Sequence, residues 1–567
     1  MHESPNDAVL LPASAQNALA IGQLTRRTAL KAGAGTLALG GLSALLAACS
    51  SKSSTSSPAT SQSAGTSTAS DTLTVASAFG STNFDPEQPQ GSLTQCPMLY
   101  DSLFDTSTPP LLADVTKLLA NYDPNPALAT AWKQSADNLS WTLTLNTKAK
   151  SAAGNSFTSA DVLWSVERNL ALKWYGGIFL NRIGITNVSQ VTAPTPDTVV
   201  LKLSRVIGRT YTLLLLGNFI VPIFDSTEAK KHITSADPWA SKWIAKNATG
   251  FGPYTIKSSS ADGTLNVFEA NPNYYGQAPI KTVVWRQTND VNSQLELLLK
   301  GQAQIIDSLA PVQVATVQKS SVAKVTTVAT TGATFIGFNS SQDIYKDVAF
   351  RQGIAYALPF DEIVNGVYKG QATSMKSVLP SFFQGYTDEY WTYTQDTAKA
   401  KSMLAPYVGK SITLQYKSGD TVLQELAVLI QSSLSAVGLK IALDGIDPTS
   451  FQTKLTAATL SMWLDPQSTP LVPDSLYGLQ LLFPTTPTQV LLHYSNPAFD
   501  ALVDKLEITA DPTEQVTLIQ AAQKILVEQL PILPLAQVPG IVPTAKDITN
   551  VRGHGSNFTW ARDLHYT

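Results

Sequence analysis

The chain has 567 residues, 44% of them hydrophobic and 14% charged, with 39 Lys and Arg against 42 Asp and Glu for a formal net charge of −3. That length suits roughly two to four packed domains, and so low a charge content excludes a mainly disordered chain. The near-balanced charge offers no field for gripping a phosphate backbone, which argues against nucleic acid as a partner, and two cysteines cannot build a disulfide scaffold.

The first 49 residues read as an address. Thr25-Arg26-Arg27-Thr28-Ala29-Leu30-Lys31 resembles the twin-arginine export motif. The uncharged stretch 32–48 that follows is short and only mildly apolar for a permanent membrane span. It ends in Leu46-Ala47-Ala48-Cys49, which resembles a bacterial lipobox. The order of these signals implies export by the twin-arginine route, with Arg26 and Arg27 as the signal. It also implies lipidation at Cys49 and an extracytoplasmic protein anchored by lipid to a bacterial cell membrane. Acyl chains contribute about 0.8 kcal/mol per buried methylene, so two of them hold such a protein firmly.

Residues 50–71 are the expected tether. Two thirds of the stretch 50–70 is Ser or Thr, which cannot bury enough apolar surface to offset its ordering entropy. As a flexible coil it spans roughly 25 Å. Beyond it, Cys96 has no intrachain thiol partner and is expected to be a packed structural thiol.

The body alternates strand and helix signals. Leu139, Trp141, Leu143 and Leu145 alternate with polar residues, the pattern of a half-buried strand, and 198–203 reads as a second strand. Between them, Thr158 and Asp161 form a capping-box signature before a helix carrying Val162, Val166 and Leu170. Further on, 412–416 reads as a strand and Asp420 caps a helix with an apolar stripe from Leu423 to Val437. Gly438 stops that helix, and a strand resumes at 439–443. This βαβ pattern predicts a partly parallel sheet and an α/β class. Pro497 and Pro512 mark first turns of two later helices.

Catalytic motifs are scarce. Neither a GxSxG nor a Walker A sequence occurs, and the five histidines have no metal-ligand spacing, so no metal site and no cofactor are expected. Gly33-Ala34-Gly35-Thr36-Leu37-Ala38 matches a dinucleotide fingerprint but lies within the export signal. Ser321-Val322-Ala323-Lys324 matches the SxxK motif of exported acyl-enzymes without the accompanying KTG, leaving a serine acyl-enzyme on Ser321 and Lys324 as a remote alternative.

Several segments, in order, resemble the extracellular solute-binding proteins of family 5, which deliver peptides to ABC importers. They are Pro126-Ala127-Leu128-Ala129-Thr130-Ala131-Trp132, Phe157-Thr158-Ser159-Ala160-Asp161-Val162, Thr249-Gly250-Phe251-Gly252-Pro253-Tyr254, Asn271-Pro272-Asn273-Tyr274-Tyr275-Gly276, Phe350-Arg351-Gln352-Gly353-Ile354-Ala355-Tyr356-Ala357 and Tyr494-Ser495-Asn496-Pro497-Ala498-Phe499-Asp500. The resemblance implies a periplasmic-binding-protein-like α/β fold of type II (Venus flytrap) with an extra inserted domain. Lobe I would comprise 72–106, 205–329 and 537–567, the inserted lobe II 107–204, and lobe III 330–536. Two connections between lobes I and III would form the hinge.

It also implies a non-enzymatic, monomeric binding component that captures a small solute, an oligopeptide first, and hands it to a membrane ABC permease. An oligosaccharide or a nickel chelate is the alternative cargo. Trp463 and Asp465 are the implied ligand contacts on one side, the acid receiving an α-ammonium group, although the segment is one residue shorter than the family's Trp-x-x-Asp. Gln90, Gly91 and Ser92 are those on the other side.

Overall fold

The computed structural model describes residues 71–88, 92–106, 122–276, 278, 280–307, 309–466, 470–487, 490–553 and 561–567. Arg26, Arg27, Cys49, the tether up to residue 70, Gln90 and Gly91 lie outside the described residues. Among the described residues no helix is long and apolar enough to cross a membrane.

Three larger sheets organise the described residues, beside two two-stranded pairings. The largest has seven strands in the order Ala323–Val328, Gly540–Ala545, Ile305–Ile306, Thr72–Ser77, Thr282–Gln287, Leu265–Ala270 and Tyr254–Ser259. Its central strand, Thr72–Ser77, pairs in parallel with both neighbours, and the outer pairs are antiparallel. A second sheet has six strands in the order Thr373–Ser374, Ile532–Gln537, Ala333–Phe338, Met462–Asp465, Ile412–Lys417 and Ile441–Ile446. A third, four-stranded and antiparallel, runs Ala129–Gln134, Ser140–Leu145, Thr198–Lys202, Val191–Thr195.

Local signals explain the elements nearest the site. Asp420 caps the helix Thr421–Ala436 by accepting the Val422 and Leu423 amides, and the stripe of Leu423, Leu426, Ala427, Ile430 and Leu434 is buried. Gly438, at φ +96°, turns the chain into Ile441–Ile446, which pairs in parallel with Ile412–Lys417. The expected βαβ unit is present. Thr158 and Asp161 form the capping box of Ser159–Leu172. The Trp141 strand buries Trp141, Leu143 and Leu145, but Leu139 is 37% exposed, because the strand begins at Ser140 and Asn138, at φ +58°, places Leu139 in the preceding turn.

The seven- and six-stranded sheets are joined by two chain crossings, residues 329–332 and 538–539, which lie side by side. The Val538 amide donates to the Gly332 carbonyl (2.9 Å), and the Thr330 hydroxyl donates to the Val538 carbonyl (3.2 Å). A pair of short adjacent crossings is the geometry of a hinge between two bodies.

Buried polar anchors hold the body carrying the seven-stranded sheet. The Arg168 guanidinium is bidentate on Asp85, with both side chains fully buried. The tyrosines of the 271–276 segment are structural as well: Tyr274 and Tyr275 donate to the Asp101 carboxylate, which also pairs with Arg562 near the C-terminus. Cys96 is 1% exposed, and burial pushes its thiol well above the ordinary value, which suppresses the reactive thiolate.

Candidate functional site

The two faces of the six-stranded sheet differ in chemistry. Alternation sends Ile336, Phe338, Ile412, Leu414, Met462 and Leu464 into one apolar core. The opposite face carries Phe335, Gln415, Lys417, Trp463 and Asp465, turned toward an apolar cluster that continues into the four-stranded unit. This second face looks across the boundary between the two bodies joined at the paired crossings.

The strands Ile412–Lys417 and Met462–Asp465 run parallel, with Gln415 opposite Trp463. Two residues further along each strand stand Lys417 and Asp465, an opposite-charge pair at adjacent carboxyl ends. Strand ends of this kind are where open α/β sheets hold ligands. Trp463 is 1% exposed, and its indole lies flat over Gly337: a methyl built there would meet the ring at 2.4 Å, so only glycine accommodates it. The indole N–H donates to Asp465 Oδ2 at 3.3 Å, tying the orientation of the carboxylate to that of the ring. Gln415 accepts the Ser461 amide (2.9 Å) and donates to Asp444 (3.1 Å), so it braces the strand end.

Lys417 is half-buried and makes no ion pair within 4.0 Å among the described residues. Burial pulls its ammonium below the usual lysine value, while the charges of Asp420 and Asp465 act in the opposite direction. A cation held in this way gains from an anion delivered by a ligand.

The residues expected at the site fare differently. Trp463 and Asp465 are brought together. Ser92 is half-buried and engaged in its own turn, its hydroxyl accepting the Gln95 amide at 3.1 Å and its carbonyl accepting the Cys96 amide at 3.0 Å. Ser321 is exposed ahead of the strand Ala323–Val328, in which Lys324 pairs with Thr544. Lys417, Gln415 and Gly337 carry no signal in the sequence, because their significance lies in strand register.

A direct contact closes the boundary away from the crossings. Phe179 packs edge-on against Tyr477 (ring centroids 5.7 Å), the Arg182 guanidinium and the Tyr211 hydroxyl both donate to Gln480 Oε1, and Arg205 pairs with Glu507 at 2.6 Å. Tyr477 and Gln480 lie on the helix Ser475–Leu482, capped by Asp474, whose carboxylate accepts the Tyr477 amide at 3.0 Å. Burial pushes the Asp474 carboxyl up to about 6.

A carboxyl raised in the folded state binds protons that the unfolded chain has released, so stability falls as pH rises from about 4 to about 6. Because Asp474 keeps part of its surface in solvent, the cost at pH 7 is about 1–2 kcal/mol, less than the full shift implies. Asp474→Asn, which still caps, is expected to flatten this part of the stability–pH curve in denaturant titrations at pH 4, 5, 6 and 7.

Comparison with known proteins agrees with this architecture. The family model for bacterial extracellular solute-binding proteins, family 5 (middle region) matches residues 123–489, well over half of the chain. The chain is 26% identical over 417 residues to the probable D,D-dipeptide-binding periplasmic protein of Escherichia coli K12, covering 72% of this chain and 78% of the relative. The structure of the periplasmic binding protein DppA from Helicobacter pylori in complex with peptide STSA superposes with TM-score 0.73 at 22% identity, covering 87% of this chain and 98% of the other. The dipeptide-binding protein of Pseudoalteromonas sp. SM9913 in complex with Met-Leu gives 0.74 at 18% identity, with 88% and 100% covered. With a lobed α/β fold, a paired crossing and a family match across its middle, this chain belongs to the bacterial extracellular solute-binding proteins, family 5.

Proposed function

We propose that this protein is the capture component of an ABC importer, taking a short peptide outside the membrane and handing it to the permease without breaking a bond. The observation that carries this reading is the Lys417–Asp465 pair beside Trp463, at adjacent strand ends facing the interbody boundary. Asp465 receives the ligand's α-ammonium through charge-assisted hydrogen bonds, and Lys417 receives its carboxylate. Neighbouring strands lie about 4.8 Å apart and an extended residue spans about 3.4 Å, so the pair suits the two ends of a short zwitterion. The chain's likeness to dipeptide-binding relatives supports the same class of cargo.

In this reading the seven-stranded sheet forms lobe I (72–106, 205–329 and 537–567), the four-stranded sheet lies in lobe II (107–204), and the six-stranded sheet forms lobe III (330–536). The contacts proposed for lobe I are Gln90, Gly91 and Ser92, of which Ser92 alone is among the described residues. The monomer leaves the cytoplasm by its Arg26-Arg27 signal, is lipidated at Cys49 and works at the end of its tether. A dissociation constant near micromolar, about −8 kcal/mol, suits capture followed by release.

Denaturing the purified protein and identifying the released cargo by mass spectrometry tests this. Short peptides are expected. A sugar or a nickel chelate as the sole cargo, with no peptide binding by calorimetry after stripping, would contradict it.

A further inference from the structure

The direct contact across the boundary is built from helices on each body. One body brings Tyr175–Arg182 and Arg209–Leu216, the other Ser475–Leu482 and Pro497–Ile508. Its middle is apolar: Phe179 and Tyr477 are buried, and the Arg182 guanidinium lies 5.9 Å from the Tyr477 ring centroid. Gln480 Oε1 accepts from Arg182 Nη1 and, at 3.1 Å, from the Tyr211 hydroxyl, so two donors of one body converge on one oxygen of the other. At the rim Arg205 pairs with Glu507, the side chains 38% and 23% exposed, and the same Arg205 nitrogen donates to the Arg182 carbonyl at 3.1 Å.

This is the chemistry of a contact that can part. The group facing Arg182 is a neutral amide oxygen; a carboxylate there would form a desolvated ion pair, far costlier to break. Water can serve the amide, the hydroxyl and the rim charges once the bodies separate, so opening strands no buried charge. The cluster is also committed to itself: a carbonyl oxygen has two lone pairs, and both donors to Gln480 Oε1 come from the facing body. The Lys417–Asp465 pair stands elsewhere, at strand ends of the six-stranded sheet. A contact made only when the bodies meet adds its free energy to the shut form, whatever lies between them.

We infer that Arg182, Tyr211 and Gln480, with Arg205 and Glu507 at the rim, form a latch across the two bodies that favours the shut form and sets how slowly a captured peptide of any sequence leaves. This rests on the capture reading above and adds a hold on the cargo that the Lys417–Asp465 pair does not supply.

The test uses the ligand-stripped full chain, calorimetry and stopped-flow dissociation with Ala-Ala, Ala-Phe, Ala-Lys, Ala-Glu and Ala-Ala-Ala. Gln480→Ala is expected to weaken every peptide that binds wild type by one common factor of about tenfold, the loss appearing in the dissociation rate. Glu507→Gln should cost about two- to threefold, and that smaller loss should fade at about 1 M salt, which screens an exposed pair. Tyr211→Phe should weaken binding in wild type but add little on top of Gln480→Ala. Such non-additivity, read in binding, reports a contact between the bodies that a general loosening of either one would not produce. Should Gln480→Ala fail to fold, Tyr211→Phe and Glu507→Gln decide by the same common factor.

Unchanged affinity in these variants would overturn the latch while leaving peptide capture standing. Losses that differ several-fold from peptide to peptide would place Gln480 against the cargo and equally overturn it, as would full additivity of Tyr211→Phe with Gln480→Ala. Failure of all five peptides to bind wild type would sink the capture reading itself, and this inference with it.

Discussion

Replacing Arg168 with methionine is expected to remove about 3–5 kcal/mol of folding stability. The guanidinium is fully buried, bidentate on Asp85, bonded to the Trp239 carbonyl (3.3 Å) and the Ser241 hydroxyl (3.1 Å), and lies 4.6 Å from the Phe224 ring centroid. Methionine refills much of the volume but leaves Asp85 charged, beside Glu87 and without a counter-ion. The penalty therefore arises from the abandoned carboxylate more than from the lost contact.

A second variant separates the two contributions. Arg168→Met combined with Asp85→Asn removes the orphaned charge while keeping an acceptor for the Glu87 amide, so at least half of the loss should return. Chemical denaturation of the three proteins measures this, and a double variant no better than Arg168→Met would show that the guanidinium's packing and carbonyl contacts carry the stability instead.

The largest effect on binding is expected at the charged strand ends. Asp465→Asn should weaken a bound short peptide by about 10–100-fold, the worth of a hydrogen bond between charged groups at about 1.5–3 kcal/mol. Asparagine keeps an acceptor for the Trp463 indole, so the fold around the ring should survive. Ligand chemistry then assigns the roles. An N-acetylated peptide has no ammonium for Asp465 and should bind wild type and Asp465→Asn alike, whereas a C-amidated peptide should be indifferent to Lys417→Met. Calorimetry across these combinations checks the assignment. Equal loss for free and acetylated peptide in Asp465→Asn would mean that the residue only shapes the site.

Legibility in the sequence followed the range of the interactions. The helix Thr421–Ala436 could be read because its cap, stripe and stop all lie within about twenty residues and act locally. The seven-stranded sheet could not be assembled that way, since it places Thr72–Ser77 between strands that arrive more than two hundred residues later. The resemblance to a known family supplied that topology in outline.

The site divides along the same line. Trp463 and Asp465 were reachable through the resemblance, while Lys417 read as nothing more than the end of a strand. Its meaning comes from the parallel register that puts Gln415 opposite Trp463, a tertiary fact.

Small-angle X-ray scattering of the ligand-stripped protein, alone and saturated with a peptide shown by calorimetry to bind, probes the hinged clamp itself. A ligand that touches both bodies favours the shut form by its differential affinity. The radius of gyration should therefore fall on binding, and the fall should vanish when Lys417→Met and Asp465→Asn together abolish binding. An unchanged radius with saturating, tightly bound peptide would contradict capture between two bodies turning about residues 329–332 and 538–539.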